Sequence, residues 1–324
     1  MSKKLLLDTG ANALFVRSVT NVDKALLAGT NVRFVGTATA GTEHVDTHYL
    51  QQKGIAFASA PGSNAMAVAE YVLQALFSWS KKTQQSLEGK RLGIIGLGNV
   101  GKRVALVAHQ LGMNIIASDP SLEALGISPL EFVEWKNYRQ LLALSDCITF
   151  HVPYCVEGLH PTVNLFDESC ISAIHNQALV IQTSRGGIVN EQALLRCMND
   201  NAVYAAIDVW TQEPLWNEEL VNHANTLMAT PHIAGYTHQA RERGVDMILD
   251  EYVMWKEMKG EKKNRINEGI ECNNSAVQSL LVNNRFNAQR CLRLKGLHAN
   301  KEEFDKARRE FMNDQETLKD VLLG

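Results

Sequence analysis

The sequence predicts an α/β protein built on a doubly wound parallel sheet, with a smaller α/β lobe ahead of it. Two observations carry this. From about residue 66 to 235, short apolar runs alternate with longer amphipathic stretches, the order that a sheet wound from βαβ units requires. Those apolar runs are nearly unbroken rather than alternating, as expected of strands covered by helices on both faces.

Taken in order, Ala65–Ser80 sets Val68, Tyr71, Val72, Ala75, Leu76 and Trp79 at helical spacing and predicts a long helix. Strand Arg91–Ile95, helix Val100–Leu111, strand Asn114–Ser118, helix Tyr138–Leu144 and strand Cys147–His151 follow. After a loop rich in Pro and Gly come helix Glu168–Ile174, strand Ala178–Thr183, helix Glu191–Met198, strand Val203–Val209 and short strand Leu227–Ala229. Before residue 66 the alternation is shorter: strands Ala13–Val16, Val32–Thr37 and Ile55–Ser59, with helical Val22–Ala28 and Val45–Lys53 between them. After about residue 262 the chain turns polar and Asn-rich, and only Lys301–Phe311 and Gln315–Leu323 read as helices.

The 324 residues suffice for two domains and a small third. With 45% hydrophobic and 21% charged residues the composition is that of a globular protein. A net charge of -3 offers no basic field for nucleic acid, and no apolar run approaches the roughly 20 residues of a membrane helix. The start, Met1 to Asp8, has an apolar run of three residues that meets an acid, so it is not read as a signal peptide. Six cysteines are scattered with no CxxC pair and no zinc spacing, which predicts reduced, mostly buried thiols in a cytoplasmic protein and no metal site.

The strand Arg91–Ile95 runs into Gly96-Leu97-Gly98-Asn99-Val100-Gly101. A lone GxGxxG is weak, and its context decides it. Gly96 opens a tight turn, Gly98 lets backbone approach a pyrophosphate, and Gly101 lets the following helix pack on the strand. That helix aims its N-terminal N–H groups at phosphate. Asp119 ends the next strand, where a carboxylate accepts from ribose hydroxyls and repels a 2′-phosphate. A helix-capping Asp before Pro120 would read the same in isolation, but strand, turn, helix, strand and acid in register favour NAD over NADP.

Ligands of an open α/β sheet bind at the carboxyl ends of its strands, so polar groups there are the candidates for chemistry. Ala178–Thr183 ends in Ser184-Arg185-Gly186-Gly187, Val203–Val209 leads to Glu213-Pro214, and Leu227–Ala229 leads to Pro231-His232-Ile233-Ala234-Gly235-Tyr236-Thr237. Oxidising an alcohol beside a carboxylate needs a base, an anchor for the carboxylate and a hydride acceptor. His232 suits the base, since imidazole ordinarily titrates near neutrality. Glu213 can hold that imidazole in one tautomer, and the planar fork of Arg185 can clamp a carboxylate. Singly, each residue could be structural or exposed; as a set at strand ends they point to one reaction.

These segments, together with Asp208-Val209-Trp210, resemble the signatures of the D-2-hydroxy-acid dehydrogenases. Val16-Arg17-Ser18-Val19-Thr20, Phe34-Val35-Gly36-Thr37-Ala38-Thr39-Ala40-Gly41-Thr42 and the Gly235-Tyr236-Thr237 segment are similar to the erythronate-4-phosphate dehydrogenase branch of vitamin B6 biosynthesis, from about residue 11 to 255. The resemblance implies a Rossmann-type NAD domain (66–237), a smaller flavodoxin-like substrate lobe (1–65 and 238–262) and a short dimerisation-type tail (263–324). It implies catalysis by Arg185, Glu213 and His232. It implies cofactor contacts at Gly96, Gly98, Asn99, Val100, Gly101, Asp119, Val152, Thr183, Ser184, Asp208 and Gly235. Ser18, Thr39 and Tyr236 would contact a small phosphorylated 2-hydroxy acid, with Arg17 near its phosphate. A hydroxyl-rich pocket rejects short apolar hydroxy acids, because its donors would be left unpaired.

Two departures from the family pattern stand out. Its first lobe opens with strand, helix and strand, whereas here Lys4–Leu7 leads through Asp8-Thr9-Gly10 and two further residues into Ala13–Val16. Adjacent parallel strands need a crossover of about a dozen residues, so either Lys4–Leu7 is not that first strand or the lobe is rewired. About thirty residues of the pattern are missing. The tail is also short for the separate dimerisation domain of the family, which leaves the expected homodimer open.

Overall fold

A computed structural model describes residues 1–126, 130–258, 294–295 and 297–310. The predicted helix Gln315–Leu323, the Asn-rich run after residue 262, Phe311, Cys272 and Cys291 lie outside the described residues. The chain divides into two compact units: Met1–Asn64 with the helix His238–Met258, and Ala65–Thr237 with the described part of the tail.

The first unit is a three-stranded parallel sheet of β1 (Ala13–Val16), β2 (Phe34–Thr37) and β3 (Ala56–Ser59), in that order. Short helices α2 (Lys24–Leu27) and α3 (Thr47–Gln52) connect them, each started by an aspartate, Asp23 or Asp46, that accepts from a backbone N–H of its first turn. Such a cap satisfies donors that the helix itself cannot. The opening segment answers the first departure: Lys3–Thr9 is helix α1 and not a strand. Ser2 caps its start, Gly10 closes it at φ +61°, and Leu6 buries against Leu14, Val16 and Leu27. Helix α10 (His238–Met258) supplies Tyr252 and Trp255, whose rings lie 5.1 and 5.4 Å from that of Phe34 in β2. Gly244 brings α10 close to β2's exit, for a Cβ there would stand 2.9 Å from the Ala38 carbonyl oxygen.

The second unit is a seven-stranded, all-parallel sheet. Its strands are β4 (Arg91–Ile95), β5 (Asn114–Ser118), β6 (Val133–Trp135), β7 (Cys147–Phe150), β8 (Leu179–Gln182), β9 (Tyr204–Ile207) and β10 (Thr226–Ala229), in the order β10-β9-β8-β7-β4-β5-β6. The order reverses between β4 and β7, the place where such sheets hold dinucleotides. One face packs under α4 (Ala65–Thr83) and α5 (Asn99–Gln110) around Tyr71, Leu76, Trp79 and Val104. The other packs under α7 (Tyr138–Leu144) and α8 (Glu191–Asp200) around Leu141, Phe150, Phe166 and Leu194. Three sequence expectations change here. The helix expected over Glu168–Ile174 is one 3-10 turn, Glu168–Cys170, followed by irregular backbone. Two short helices, α6 (Pro120–Ala124) and α9 (Glu218–Asn222), and the short edge strand β6 were not foreseen. Cys147, Cys170 and Cys197 are buried and, with Cys155, unpaired. No described helix is long and apolar enough to cross a membrane.

Candidate active site

Because β8, β9 and β10 are adjacent, the residues that follow them share one edge of the sheet. After β8 the chain turns through Arg185 and Gly186. A Cβ at Gly186 would stand 1.9 Å from the Trp210 carbonyl oxygen, so the loops after β8 and β9 meet backbone to backbone and only glycine fits. Gln182 braces the first loop: its Oε1 accepts from the Ser184 hydroxyl (2.8 Å) and its Nε2 donates to the Arg185 carbonyl (2.9 Å). Arg185 is half-buried, and its Nη1 donates to the Ser184 carbonyl at 2.8 Å.

In the next two loops Glu213 and His232 meet. Nδ1 of His232 lies 2.8 Å from Oε2 of Glu213, and Oε1 of Glu213 accepts from the Trp210 N–H at 3.0 Å. Burial pushes the Glu213 carboxyl up, but the hydrogen bond and charge of His232, the Trp210 N–H and the charge of Arg308 together hold it below its ordinary range. An ionised carboxylate only accepts, so Nδ1 must carry the proton and Nε2 of the neutral ring is left as the base.

His232 sits at φ +54°, in the left-handed region. A non-glycine residue stays there only where its surroundings over-determine it. The fixing group is Asp208, 1% exposed at the end of β9. Its backbone carbonyl accepts from the His232 N–H at 2.7 Å. Its carboxylate accepts from the Thr230 hydroxyl (2.6 Å), the Ile233 N–H (2.7 Å) and the Ala234 N–H (2.8 Å). Burial raises the Asp208 carboxyl above its ordinary range, against lowering by the charge of His232 and by these donors. The sequence marked Asp208 as a cofactor contact; the structure shows its carboxylate engaged in shaping the His232 loop.

Across β7, the glycine loop has the form that a pyrophosphate needs. Gly96 is at φ +89°, where a Cβ would stand 2.6 Å from the His151 carbonyl oxygen, and a Cβ at Gly101 would stand 2.2 Å from the Gly96 carbonyl oxygen. Gly98, by contrast, faces open space and starts α5 with no side-chain cap, so the N–H groups of Asn99 and Val100 begin the helix beside it. Asp119 ends β5, with Oδ2 accepting from Leu97 N–H (2.9 Å) and Oδ1 from Leu122 N–H (3.2 Å). It therefore caps α6 and also ties down the glycine loop. Val152 packs at Gly96, and the buried hydroxyl of Thr183 has no protein partner. An open glycine cradle and an orphaned hydroxyl at the strand ends fit a dinucleotide. His151, beside them, has its imidazole pushed down to about 3 by burial and stays neutral. Gly235 and Tyr236 follow the His232 loop and are half-buried, with Tyr236 N–H donating to Ile233 O at 2.9 Å.

The remaining candidates belong to the first unit. Arg17 and Ser18 form the turn after β1, Arg17 half-buried and Ser18 exposed. Thr39 follows β2, and its hydroxyl lies 2.8 Å from that of Thr37 and donates to Gly41 O at 2.8 Å. Ser18 and Thr39 thus follow neighbouring strands of one sheet. Sequence reasoning missed two residues. Asp208 as a brace for the His232 loop has no sequence signal beyond its strand-end position, and Arg308 beside Tyr236 has none at all.

The family described as D-isomer specific 2-hydroxyacid dehydrogenase, NAD binding domain, matches residues 63–234. Erythronate-4-phosphate dehydrogenase of Escherichia coli O157:H7 is 40% identical over 243 residues, 75% of this chain and 63% of that protein. The Acinetobacter baylyi enzyme of the same name is 41% identical over 242 residues, 75% of this chain and 66% of that one. The chain thus spans about two thirds of the length of the curated relatives it matches. Among solved structures, D-lactate dehydrogenase from Aquifex aeolicus complexed with NAD and lactic acid aligns at TM-score 0.64 and 23% identity, over 79% of this chain and 86% of that one. The TT0316 protein of Thermus thermophilus aligns at TM-score 0.68 and 22% identity, with the same coverages. These two likenesses concern the fold.

Proposed function

The chain belongs to the D-isomer specific 2-hydroxyacid dehydrogenase family, and on that premise we propose that it oxidises 4-phospho-D-erythronate at C2 to 2-oxo-3-hydroxy-4-phosphobutanoate, with NAD as the acceptor. The observation that carries the reaction is the Glu213–His232 pair, 2.8 Å apart at the carboxyl edge of the sheet that holds the glycine loop. The substrate is supported by the relatives named erythronate-4-phosphate dehydrogenase at 40–41% identity. Their reaction would place the chain in the cytoplasm, in vitamin B6 biosynthesis.

NAD, when bound, supplies the carbon that takes hydride from C2. The chain's own residues do the rest. Gly96, Gly98 and Gly101, with Asn99 and Val100 at the start of α5, would hold the pyrophosphate. Asp119 would take the ribose hydroxyls, since each of its oxygens has a lone pair beyond the one given to backbone. Val152, Thr183, Ser184 and Gly235 would line the cofactor at the same strand ends, where the unpartnered Thr183 hydroxyl would gain a bond. Arg185 would clamp the substrate carboxylate. Nε2 of His232 takes the C2 hydroxyl proton as the C2–H bond breaks, and Glu213 stabilises the imidazolium so formed. Ser18, Thr39 and Tyr236, with Arg17, would meet the hydroxyls and phosphate of the substrate.

The test is NADH formation by the purified chain on 4-phospho-D-erythronate and on 3-phosphoglycerate, with NAD binding followed on the same sample. Faster turnover of 4-phospho-D-erythronate is expected. Preference for 3-phosphoglycerate would overturn the substrate, and NAD binding with no oxidation of either would overturn the reaction.

A further inference from the structure

The tail helix Lys301–Glu310 is docked on the second unit by specific contacts. Asn300 caps it by accepting from Glu303 N–H at 2.9 Å, and Ala299 N–H donates to Glu218 Oε1 in α9 at 2.7 Å. Phe304 and Ala307 are 2% and 5% exposed and join the core that contains Trp210, Trp216 and Leu220. The rings of Phe304 and Trp216 stack at 6.3 Å. Residues 304, 307 and 308 share one face of a helix, so burying the first two brings Arg308 to the rim of the docked stripe. There its guanidinium carbon lies 5.2 Å from the ring centre of Tyr236, over the ring. Its charge also reaches Glu213.

Two features make this cation more than a packing contact. Attraction to a ring face holds a guanidinium in place without using a carboxylate, and among the described residues Arg308 makes no ion pair. Glu213 is not bonded to it in this structure: its carboxylate oxygens bond Trp210 N–H and Nδ1 of His232. A fixed cation thus stands beside the catalytic pair, held by the ring of Tyr236. We propose that Arg308 is a further substrate-binding residue of this site, supplying the cation for a second anionic group on the hydroxy acid, a phosphate monoester. Arg185 takes the carboxylate; Arg308 takes the doubly charged, three-oxygen group that a planar fork suits. The inference rests on the dehydrogenase reading, and it makes the tail part of the site.

The experiment compares Arg308→Ala, Arg308→Gln and Arg308→Lys with the parent chain on 4-phospho-D-erythronate and on unphosphorylated D-erythronate. Arg308→Gln keeps most of the stem, and thermal unfolding of all variants shows whether docking of the tail survives. For Arg308→Ala and Arg308→Gln, kcat/KM on the phosphorylated acid is expected to fall about 10- to 100-fold, the loss of one charge-assisted bond, through KM. On D-erythronate it should change less than about 3-fold, and Arg308→Lys should recover part of the loss. Equal losses on both acids would overturn the proposal and make Arg308 a support for Glu213. Titration with inorganic phosphate by calorimetry answers without turnover: equal binding by the parent and Arg308→Ala refutes the role. A parent chain that binds phosphate through Arg308 yet oxidises neither acid would instead refute the dehydrogenase reading.

Discussion

Replacing Glu213 by glutamine isolates what its charge does. The amide keeps the shape, and its carbonyl can still accept from Trp210 N–H at the 3.0 Å position of Oε1. The other end changes sign. Where Oε2 now accepts from Nδ1 of His232 at 2.8 Å, an NH2 group would donate. The imidazole answers by making Nδ1 an acceptor and moving its proton to Nε2, so the nitrogen facing substrate no longer accepts the hydroxyl proton.

Two losses combine. A hydrogen bond to a charged group contributes about 1.5–3 kcal/mol, which stabilises the imidazolium formed during oxidation. Inverting the tautomer removes general-base catalysis, about 10²–10⁴-fold by itself, and carboxylate-to-amide changes behind a catalytic histidine reach about 10⁴. Glu213 keeps 28% of its side-chain exposure, so water offsets part of the loss, and we expect kcat to fall roughly 10²–10³-fold. The assay is NADH absorbance under saturating NAD, with NAD affinity measured by protein fluorescence. Affinity should stay within about 3-fold, because Glu213 touches only His232 and Trp210 among these groups. A variant that keeps more than about a tenth of the parent kcat would refute the assigned tautomer, and with it His232 as base.

Asp208→Asn should cost about 1–3 kcal/mol in urea denaturation, since its NH2 group must face either Ala234 N–H or the donors from Thr230 and Ile233; an unchanged midpoint would contradict this. In the glycine loop two methyl groups should act differently. Gly101→Ala drives a Cβ to 2.2 Å from Gly96 O and should lower the melting temperature, whereas Gly98→Ala meets nothing within 4 Å and should leave it unchanged while weakening NAD binding. His151 predicts a pH dependence of stability. Its imidazole, held down at about 3 by burial, stays neutral where the unfolded chain's imidazole protonates, near 6.5. The unfolded state then binds the extra proton, so this term is absent above pH 6.5 and destabilises progressively as pH falls toward 3. The slope is at most about 1.4 kcal/mol per pH unit, reduced by partial exposure. His151→Asn should flatten it in denaturation curves taken at pH 7.5 and 5.5.

Six of the seven strands of the larger sheet were legible because they are apolar on both faces and punctuated by glycine turns; strands Arg91–Ile95 and Asn114–Ser118 and helix Tyr138–Leu144 hold to the residue. What was not legible had no periodic burial to read. Helix α6 buries no residue at all, and exists because Asp119 caps it and Pro120 starts it. Helix α1 buries only Leu6 of three consecutive leucines, a run that fits strand and helix equally. Helix α10 buries Ala240, Gly244 and Ile248 at intervals of four, a helical spacing hidden by the small size of two of its members. That Arg185, Glu213 and His232 share one edge of the sheet was legible because a parallel sheet fixes where its strand ends lie before any side chain is considered. The partners of Asp208 depend on how a later loop curls back, and the place of Arg308 depends on packing between residues more than seventy apart, so neither leaves a local trace.

That difference separates two kinds of precision at the site. Strand adjacency brings Glu213 and His232 into one neighbourhood, but a hydrogen bond of 2.8 Å needs tighter control than strand ends provide. The control comes from Asp208, which grips the backbone of residues 232 to 234 from below and holds His232 at φ +54°. A second set of contacts makes that grip rigid: the Thr230 hydroxyl reaches both Asp208 and the hydroxyl of Tyr71 in α4, and Trp210 Nε1 donates to Thr230 O at 3.0 Å. Every group in this network is buried, so no water can replace a lost partner, and a change at any of them is transmitted to the His232 backbone. The glycine loop and Asp119, which follow β4 and β5, lie on the other side of β7 and share no bond with this set. Loosening Thr230 should therefore lower kcat more than it lowers NAD affinity, a separation that a loss of global folding could not produce.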